Sequence, residues 1–239
     1  MVLAEDHSPV ATASAISGTT QAVTTRALTP GSLLLLAAGT GALAKTVSSI
    51  ATGTGSGTFA SIGAINSAGS KRLELWLGRG FTGYPTSVTV TFAQSTGNHA
   101  VVALVLDVSS DLTSAPTATL SAGGTGTSTA PDTASVTPAV GDLLVVGAIW
   151  ANGTASTART HTGNTLVNNG EGAYSTALRV ALGWAVATAA SATKEVWTIT
   201  SAEWAALAAT LAMPADRSAV AALPVKGRLT AVLDAAASA

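Results

Sequence analysis

The candidates for metal binding or for acid–base work are the three histidines, His7, His99 and His161, and the acids Asp107, Asp111, Asp132, Glu171 and Glu195. A histidine zinc site needs clustered ligands, and these three histidines lie far apart. Glycoside hydrolysis needs two carboxylates flanking one bond. Asp107 and Asp111 instead flank the turn after a strand, where acids serve as ordinary surface or capping residues. The run Gly53-Thr54-Gly55-Ser56-Gly57 puts its serine at the wrong spacing for a nucleophile elbow. The glycine-rich runs lack the lysine that follows a phosphate-binding loop. The chain has no cysteine, which removes disulfides, thiolate catalysis and cysteine-based zinc sites. The expectation is a protein that is not an enzyme, with no metal and no cofactor.

The five tryptophans carry binding chemistry, because exposed aromatics on β-sheets contact sugars and partner proteins. Trp184 falls on an apolar strand face and reads as core. Trp197 and Trp204 sit in late strands and read as core or interface. Trp76 shares a face with Arg72 and Glu74, and Trp150 leads into Asn152-Gly153-Thr154. Trp76 and Trp150 are therefore the candidates for a glycan or partner contact. The Asn152 triplet matches a glycosylation sequon. The opening residues Met1 to His7 have no basic region and two early acids, so they do not read as a secretory signal.

The elements that must hold these residues follow from composition and repetition. The chain has 239 residues, 47% of them apolar and only 10% charged, against roughly 25% charged in an average soluble domain. Its 11 basic and 12 acidic residues give a net charge of -1. No basic excess exists to neutralise phosphates, so a nucleic-acid partner is not expected. The longest apolar runs, Leu143 to Ala151 and Trp204 to Met213, are interrupted by Gly147 and Thr210. Both are shorter than the roughly 20 residues of a spanning helix, so no membrane role is expected. A surface this poor in charge favours association with other chains.

Four segments recur in the same order. Pro30-Gly31-Ser32-Leu33-Leu34-Leu35 resembles Val140-Gly141-Asp142-Leu143-Leu144-Val145. Leu73-Glu74-Leu75-Trp76-Leu77-Gly78 resembles Leu178-Arg179-Val180-Ala181-Leu182-Gly183. Val88 to Phe92 resembles Val196 to Thr200, and His99 to Leu106 resembles Trp204 to Leu211. The repetition decides one ambiguity. Residues 201–213 are rich in good helix formers, but their partner segment is Val-rich and reads as a strand, so both are assigned as strands.

Strands are expected near 20–28, 32–38, 71–78, 87–93 and 99–108. A second set is expected near 118–122 with 133–137, then 142–150, 175–187, 194–200 and 204–213. The glycine runs at 53–57 and 123–128 read as loops. Leu73, Leu75 and Leu77 form one apolar face opposite a wet face of Arg72, Glu74 and Trp76. Strands 33–38 and 143–150 are apolar on both faces and must be covered on both. The fold expected is all-β: a two-sheet, jelly-roll-like β-sandwich over 1–213 with an internal two-fold repeat, half-repeats being about 12–108 and 117–213. Two tandem small sandwiches are the alternative. Residues 214–239 form a C-terminal arm, whose Val225, Leu229, Val232 and Leu233 are too many apolar residues for a solvated tail and too few for a core.

The repeated pattern is Gly-Asp/Ser-Leu-Leu with two further apolar residues, a Leu-rich strand, a Thr-apolar-Thr strand and an Ala/Val-rich closing strand. It resembles the jelly-roll modules of minor tail and other virion proteins of tailed phages, particularly actinobacterial phages. Gly227-Arg228-Leu229-Thr230-Ala231-Val232-Leu233-Asp234-Ala235 is similar to linker-like segments of phage minor tail proteins. The resemblance implies a virion structural protein, assembled in the host cytoplasm, of minor tail or baseplate type. The alternatives it leaves are capsid decoration and a receptor- or glycan-binding module of the tail tip. It implies other virion proteins as partners and a homo-oligomer, with a trimer favoured. A host cell-surface glycan is the further partner considered.

Overall fold

The computed structural model describes residues 3–5, 11–15, 18–94, 98–108, 117–174 and 177–213. The first half contains β1 (Leu3–Glu5), β2 (Ala11–Ala15), β3 (Thr20–Thr24), β4 (Ser32–Thr40), β5 (Val47–Thr52), β6 (Ser56–Asn66), β7 (Arg72–Thr82), β8 (Ser87–Phe92) and β9 (His99–Val108). The second contains β10 (Thr117–Ser128), β11 (Leu143–Ala151), β12 (Ala158–Thr162), β13 (Val167–Tyr174), β14 (Leu178–Val186), β15 (Lys194–Thr198) and β16 (Ala202–Ala212). The described residues are all-β, and every strand pair is antiparallel.

Each half forms one large and one small sheet. The large sheets run β1-β9-β4-β7-β6, with β2 also pairing β9, and β10-β16-β11-β14-β13. The small sheets run β3-β8-β5 and β12-β15. Two isolated bridges, Asp132 with Val196 and Val136 with Thr193, add the 132–136 segment to β15. Strands β4 and β11 show why the layers stack. Leu33, Leu35 and Ala37 join Leu143, Val145 and Ile149 in one central core between the large sheets. The alternate residues Leu34, Leu36 and Ala38 pack under the β3-β8-β5 sheet. Leu144, Val146, Ala148 and Trp150 pack with Trp197 and Ile199 on the other side. A strand apolar on both faces is stable only as an inner layer, and both take that place.

The large sheets face one another across the central core. Strand β6 lies over β16 and β10, and β13 over β9 and β2. Strand β7 lies over β11 and β16, and β14 over β4 and β9. The four sequence-paired segments fall on β4 and β11, β7 and β14, β8 and β15, and β9 and β16. Close approach is built in at Gly39 of β4, where an added Cβ would collide with Val180 and stand 2.8 Å from Ile149 Cδ1.

Strand β16 is the segment that residue preferences alone assign to a helix. It pairs on one side with β10 and on the other with β11. Ala205, Leu207, Ala209 and Leu211 enter the central core, while Trp204, Ala206 and Ala208 enter the outer one. Helix propensities differ by under about 0.7 kcal/mol per residue, whereas burying each leucine contributes roughly 1.5–3 kcal/mol. Burial on two faces decides.

Three expectations are corrected. The run 123–128 is no loop but the body of β10, paired residue by residue with β16 from Gly123 opposite Leu207 to Ser128 opposite Ala202. Its glycines leave room for cover: a Cβ at Gly123 would collide with Ile65, and one at Gly126 would stand 3.1 Å from Trp204 Cζ2. The face of Arg72, Glu74 and Trp76 is not wet, because the small sheet covers it. Glu74 is buried and its Oε1 accepts from Val47 N of β5 at 3.1 Å. Strands β1, β2, β5, β6, β12 and β13 are not among the expected strands either, and the 133–137 segment contributes isolated bridges in place of a strand; β5, β6, β12 and β13 stand at sheet edges. Residues 214–239, including Val225, Leu229, Val232 and Leu233, lie outside the described residues.

Candidate functional site

Four of the five acids that could have formed a catalytic pair are engaged by a cation. Asp107 contacts Arg26, and Asp132 contacts Lys194. Glu171 Oε2 accepts from Arg179 Nε at 2.8 Å and from Ser156 N at 3.1 Å. Glu195 Oε1 accepts from Arg159 Nε at 2.7 Å. Asp111 and His7 lie outside the described residues. His99 is buried against Phe92 and shares a 3.1 Å hydrogen bond with Gln21 Oε1. Burial, and then the Lys45 ammonium, hold its imidazole below the ordinary histidine range. His161 is exposed on β12. Among the described residues, no three metal-ligating side chains come together, and no helix is long and apolar enough to cross a membrane.

The Arg159–Glu195 pair is a structural centre of the second half. The guanidinium stacks 5.1 Å from the Trp197 ring centre. Its Nη2 lies 3.1 Å from where a Cβ on Gly183 would stand, so this glycine makes room for it. Burial pushes the Glu195 carboxyl above its ordinary value, and Arg159 opposes that rise. Arg159 Nη2, Glu195 Oε2 and Trp197 Nε1 are buried with no hydrogen-bond partner among the described residues.

Of the two tryptophans expected at a surface, Trp150 is buried and Trp76 is half-buried. Trp150 is 0% exposed, packs in the core under the small sheet and donates Nε1–H to Thr154 O at 3.0 Å. Its side chain shares a face with Leu144 and Val146, which β15 and the 132–136 segment cover, so it is a core residue. Trp76 is half-buried against the first outer core and donates Nε1–H to Glu74 Oε2 at 3.1 Å. Trp184, Trp197 and Trp204 are buried.

A different aromatic is presented to solvent. Tyr84, in the β7–β8 connection, is 63% exposed. Its φ is +50°, in the left-handed region, and it follows Gly83 at +73°. Such a conformation is uncommon for a bulky residue. The loop is anchored on both flanks. Leu28 N donates to Pro85 O and Thr25 N to Thr86 O, both at 2.8 Å. Gly83 packs so closely on the β5–β6 turn that an added Cβ would stand 2.9 Å from Gly55 Cα. The two connections are joined by Gly53 N donating to Ser87 O at 2.9 Å and by a 2.8 Å Ser56–Thr82 hydroxyl pair. The signal in the sequence was Gly83-Tyr84-Pro85 between two strands, a turn carrying an aromatic.

The β3-β8-β5 sheet beside this loop has an uncharged outer face. Register places Thr20, Thr91 and Ser49 in one row and Ala22, Thr89 and Ala51 in the next, with Thr24 beside Ser87. The inward residues Val23, Val88, Val90 and Phe92 are buried. Residues 18–25, 46–70 and 80–94 contain no Asp, Glu, Lys, Arg or His. The outward residues of the β12-β15 sheet, Ala158, Thr160, Thr162, Val196 and Thr198, are likewise uncharged, with Lys194 the exception, while Arg159 and Glu195 turn inward toward Trp197. This outer face presents hydroxyls and alanine methyls, with Tyr84 at one end. Comparison of the chain with protein-family models, with curated proteins and with solved structures finds no match.

Proposed function

We propose that the chain is a non-enzymatic structural subunit of a tailed-phage virion, of the minor tail or baseplate type, and acts by assembly. Decoration of the head surface is the alternative placement in the same particle. The observation that carries the reading is the central core, in which Leu33, Leu35, Leu73 and Leu75 of one half and Leu143, Val145, Val180 and Leu182 of the other form one apolar body. Two sheets joined this way make a rigid block suited to building. The engagement of each described candidate acid, Asp107, Asp132, Glu171 and Glu195, by its own cation supports the non-enzymatic reading.

We read the block as an internal duplication of a jelly-roll-like module. Support comes from the matching orders β9-β4-β7-β6 and β16-β11-β14-β13, and from the reciprocal way that the large sheets cover one another. Within the first half the chain passes between large and small sheets as β2, β3, β4 and β5, and again at β7, β8 and β9, which is how jelly-roll strands alternate. Two modules in tandem, the alternative left open by the sequence, fit these orders better than one. On the resemblance, the subunit is a homo-oligomer, a trimer, and residues 214–239 are its assembly arm. Peptide mass spectrometry and antibody labelling of purified particles test the reading. The protein is expected at the tail or baseplate; its absence from intact particles overturns the proposal.

A further inference from the structure

We propose that the free edge of β10 is the docking site for the C-terminal arm of a neighbouring copy, whose residues 229–233 add a strand to the second large sheet. This rests on the reading of residues 214–239 as an assembly arm and names the surface that receives it.

This edge differs from the others in the molecule. Among the described residues, β10 pairs with β16 alone. From Leu120 opposite Thr210 to Ser128 opposite Ala202 the ladder runs through nine consecutive residues without a register shift. In an antiparallel ladder, alternate residues aim both N–H and C=O away from their neighbour, so the outer side of β10 is a row of backbone groups with no strand beside it. Natural proteins blunt such rows with short strands, bulges, charges or proline. The other described edges follow that rule. Strands β1, β2, β3 and β12 have five residues or fewer. Register shifts leave β5, β6 and β13 no more than four consecutive pairs, and the 132–136 segment covers β15. Thr117 to Ser128 contains no charged residue and no proline, and Ala122 to Ser128 are all at least partly exposed.

Backbone chemistry selects the kind of occupant, because an extended chain matches a row of alternating donors and acceptors. Position selects which chain. Ala212 pairs with Thr117, so residues 214–239 leave the body beside the edge that stands open. Residues 214–228 can extend roughly 50 Å, enough to reach a neighbouring molecule, before the run Leu229-Thr230-Ala231-Val232-Leu233. That run is uncharged and free of proline, like β10 itself. Ile65 of β6 supplies a second, independent observation. It reaches across to β10, where a Cβ on Gly123 would collide with it, and stays only half-buried at this rim. An added strand bearing leucines completes its cover. Each copy carries one arm and one open edge, so the exchange is head-to-tail, the kind of contact that closes into a ring.

The chain has no cysteine, so introduced ones report contacts cleanly. Full-length Thr125→Cys protein is mixed under oxidising conditions with full-length Leu229→Cys, Thr230→Cys, Ala231→Cys, Val232→Cys or Leu233→Cys protein, one at a time. A disulfide needs Cα atoms within about 7 Å. A covalent dimer of one β10 variant with one arm variant is expected from at least one mixture. The double variant Ala231→Pro, Val232→Pro removes a ladder donor on each side of the added strand. It is expected to weaken association about tenfold by light scattering, with circular dichroism and melting temperature unchanged. Disulfides only between two Thr125→Cys chains mean that β10 pairs with its own copy, and they overturn the proposal. A disulfide formed only within a chain carrying both Thr125→Cys and an arm cysteine overturns it too, as does unchanged association of the proline variant. Loss of assembly on truncation after Met213 with no β10–arm disulfide in any mixture overturns the edge and keeps the arm. A truncated chain that assembles like the parent overturns the arm reading and this inference with it.

Discussion

The carboxylate of Glu203, at the start of β16, accepts the backbone N–H of Ser70 at 2.6 Å. Gly69 N donates to the same oxygen at 2.9 Å, Ser70 Oγ lies 3.3 Å from the other oxygen, Ser67 Oγ is in contact, and Lys71 Nζ stands 3.9 Å away. One side chain of the second half thereby fills the turn between β6 and β7 of the first, and the two halves are tied at their rim as well as through their core.

Burial opposes the charge of Glu203, but the Ser67 and Ser70 hydrogen bonds, Lys71 and Gly69 more than offset it and hold the carboxyl below its ordinary value. A depressed folded pKa contributes stability above the ordinary carboxylate range, and that stability is lost as pH falls through the folded value. Glu203→Gln is expected to cost about 1–2 kcal/mol at neutral pH. The gap from the parent protein should narrow in acid, below the ordinary carboxylate range. Urea denaturation of both proteins at pH 7 and pH 3 checks this.

Arg159 is the partner of a nearly fully buried carboxylate. Arg159→Met is expected to destabilise by about 3–5 kcal/mol at pH 7, because Glu195 is left charged and unpaired. Burial already raises the Glu195 pKa. A raised folded value favours the folded state below the unfolded pKa, and that advantage fades as pH rises through the folded one. The variant should therefore recover part of its loss near pH 4, where Glu195 takes a proton. Equal losses at pH 4 and pH 7 would show that the charge is not the cause.

Burial, with Lys45, keeps His99 neutral in the folded chain at pH values where the unfolded chain protonates. The unfolded state then binds more protons, so stability declines as pH falls through the ordinary histidine range, about 6.5. His99→Gln is expected to flatten the pH dependence of the melting temperature between pH 7 and pH 5. A slope identical to the parent's assigns it to another group.

Truncation after Met213 removes the proposed arm and leaves all sixteen strands. The shortened chain is expected to keep its β-type circular dichroism and its melting temperature, and to lose oligomerisation on size-exclusion chromatography with light scattering. Normal assembly of the truncated chain sinks the arm; failure to fold puts residues 214–239 in the core.

Local patterning was enough for several parts of this protein. The alternation of Leu73, Leu75 and Leu77, and the doubly apolar runs at 33–38 and 143–150, identify inner strands because period 2 is a property of the backbone itself. The likeness of 204–211 to 99–106 identified β16 against its own propensity. Tertiary structure decided the rest. Gly123 to Ser128 has loop composition and becomes a strand only because β16 supplies its ladder and Ile65 and Trp204 cover its glycines. Whether Trp150 faced water depended on β15 and residues 132–136, distant in sequence, closing over that side of β11. The cations that engage the acids also come from afar, Arg26 for Asp107 and Arg159 for Glu195. Tyr84 stands exposed because Gly55 and Pro85 fix a left-handed turn beneath it. Burial and charge pairing are relations between segments brought together by folding, so short-range pattern carries the strands and the assembled sheets determine which faces meet water.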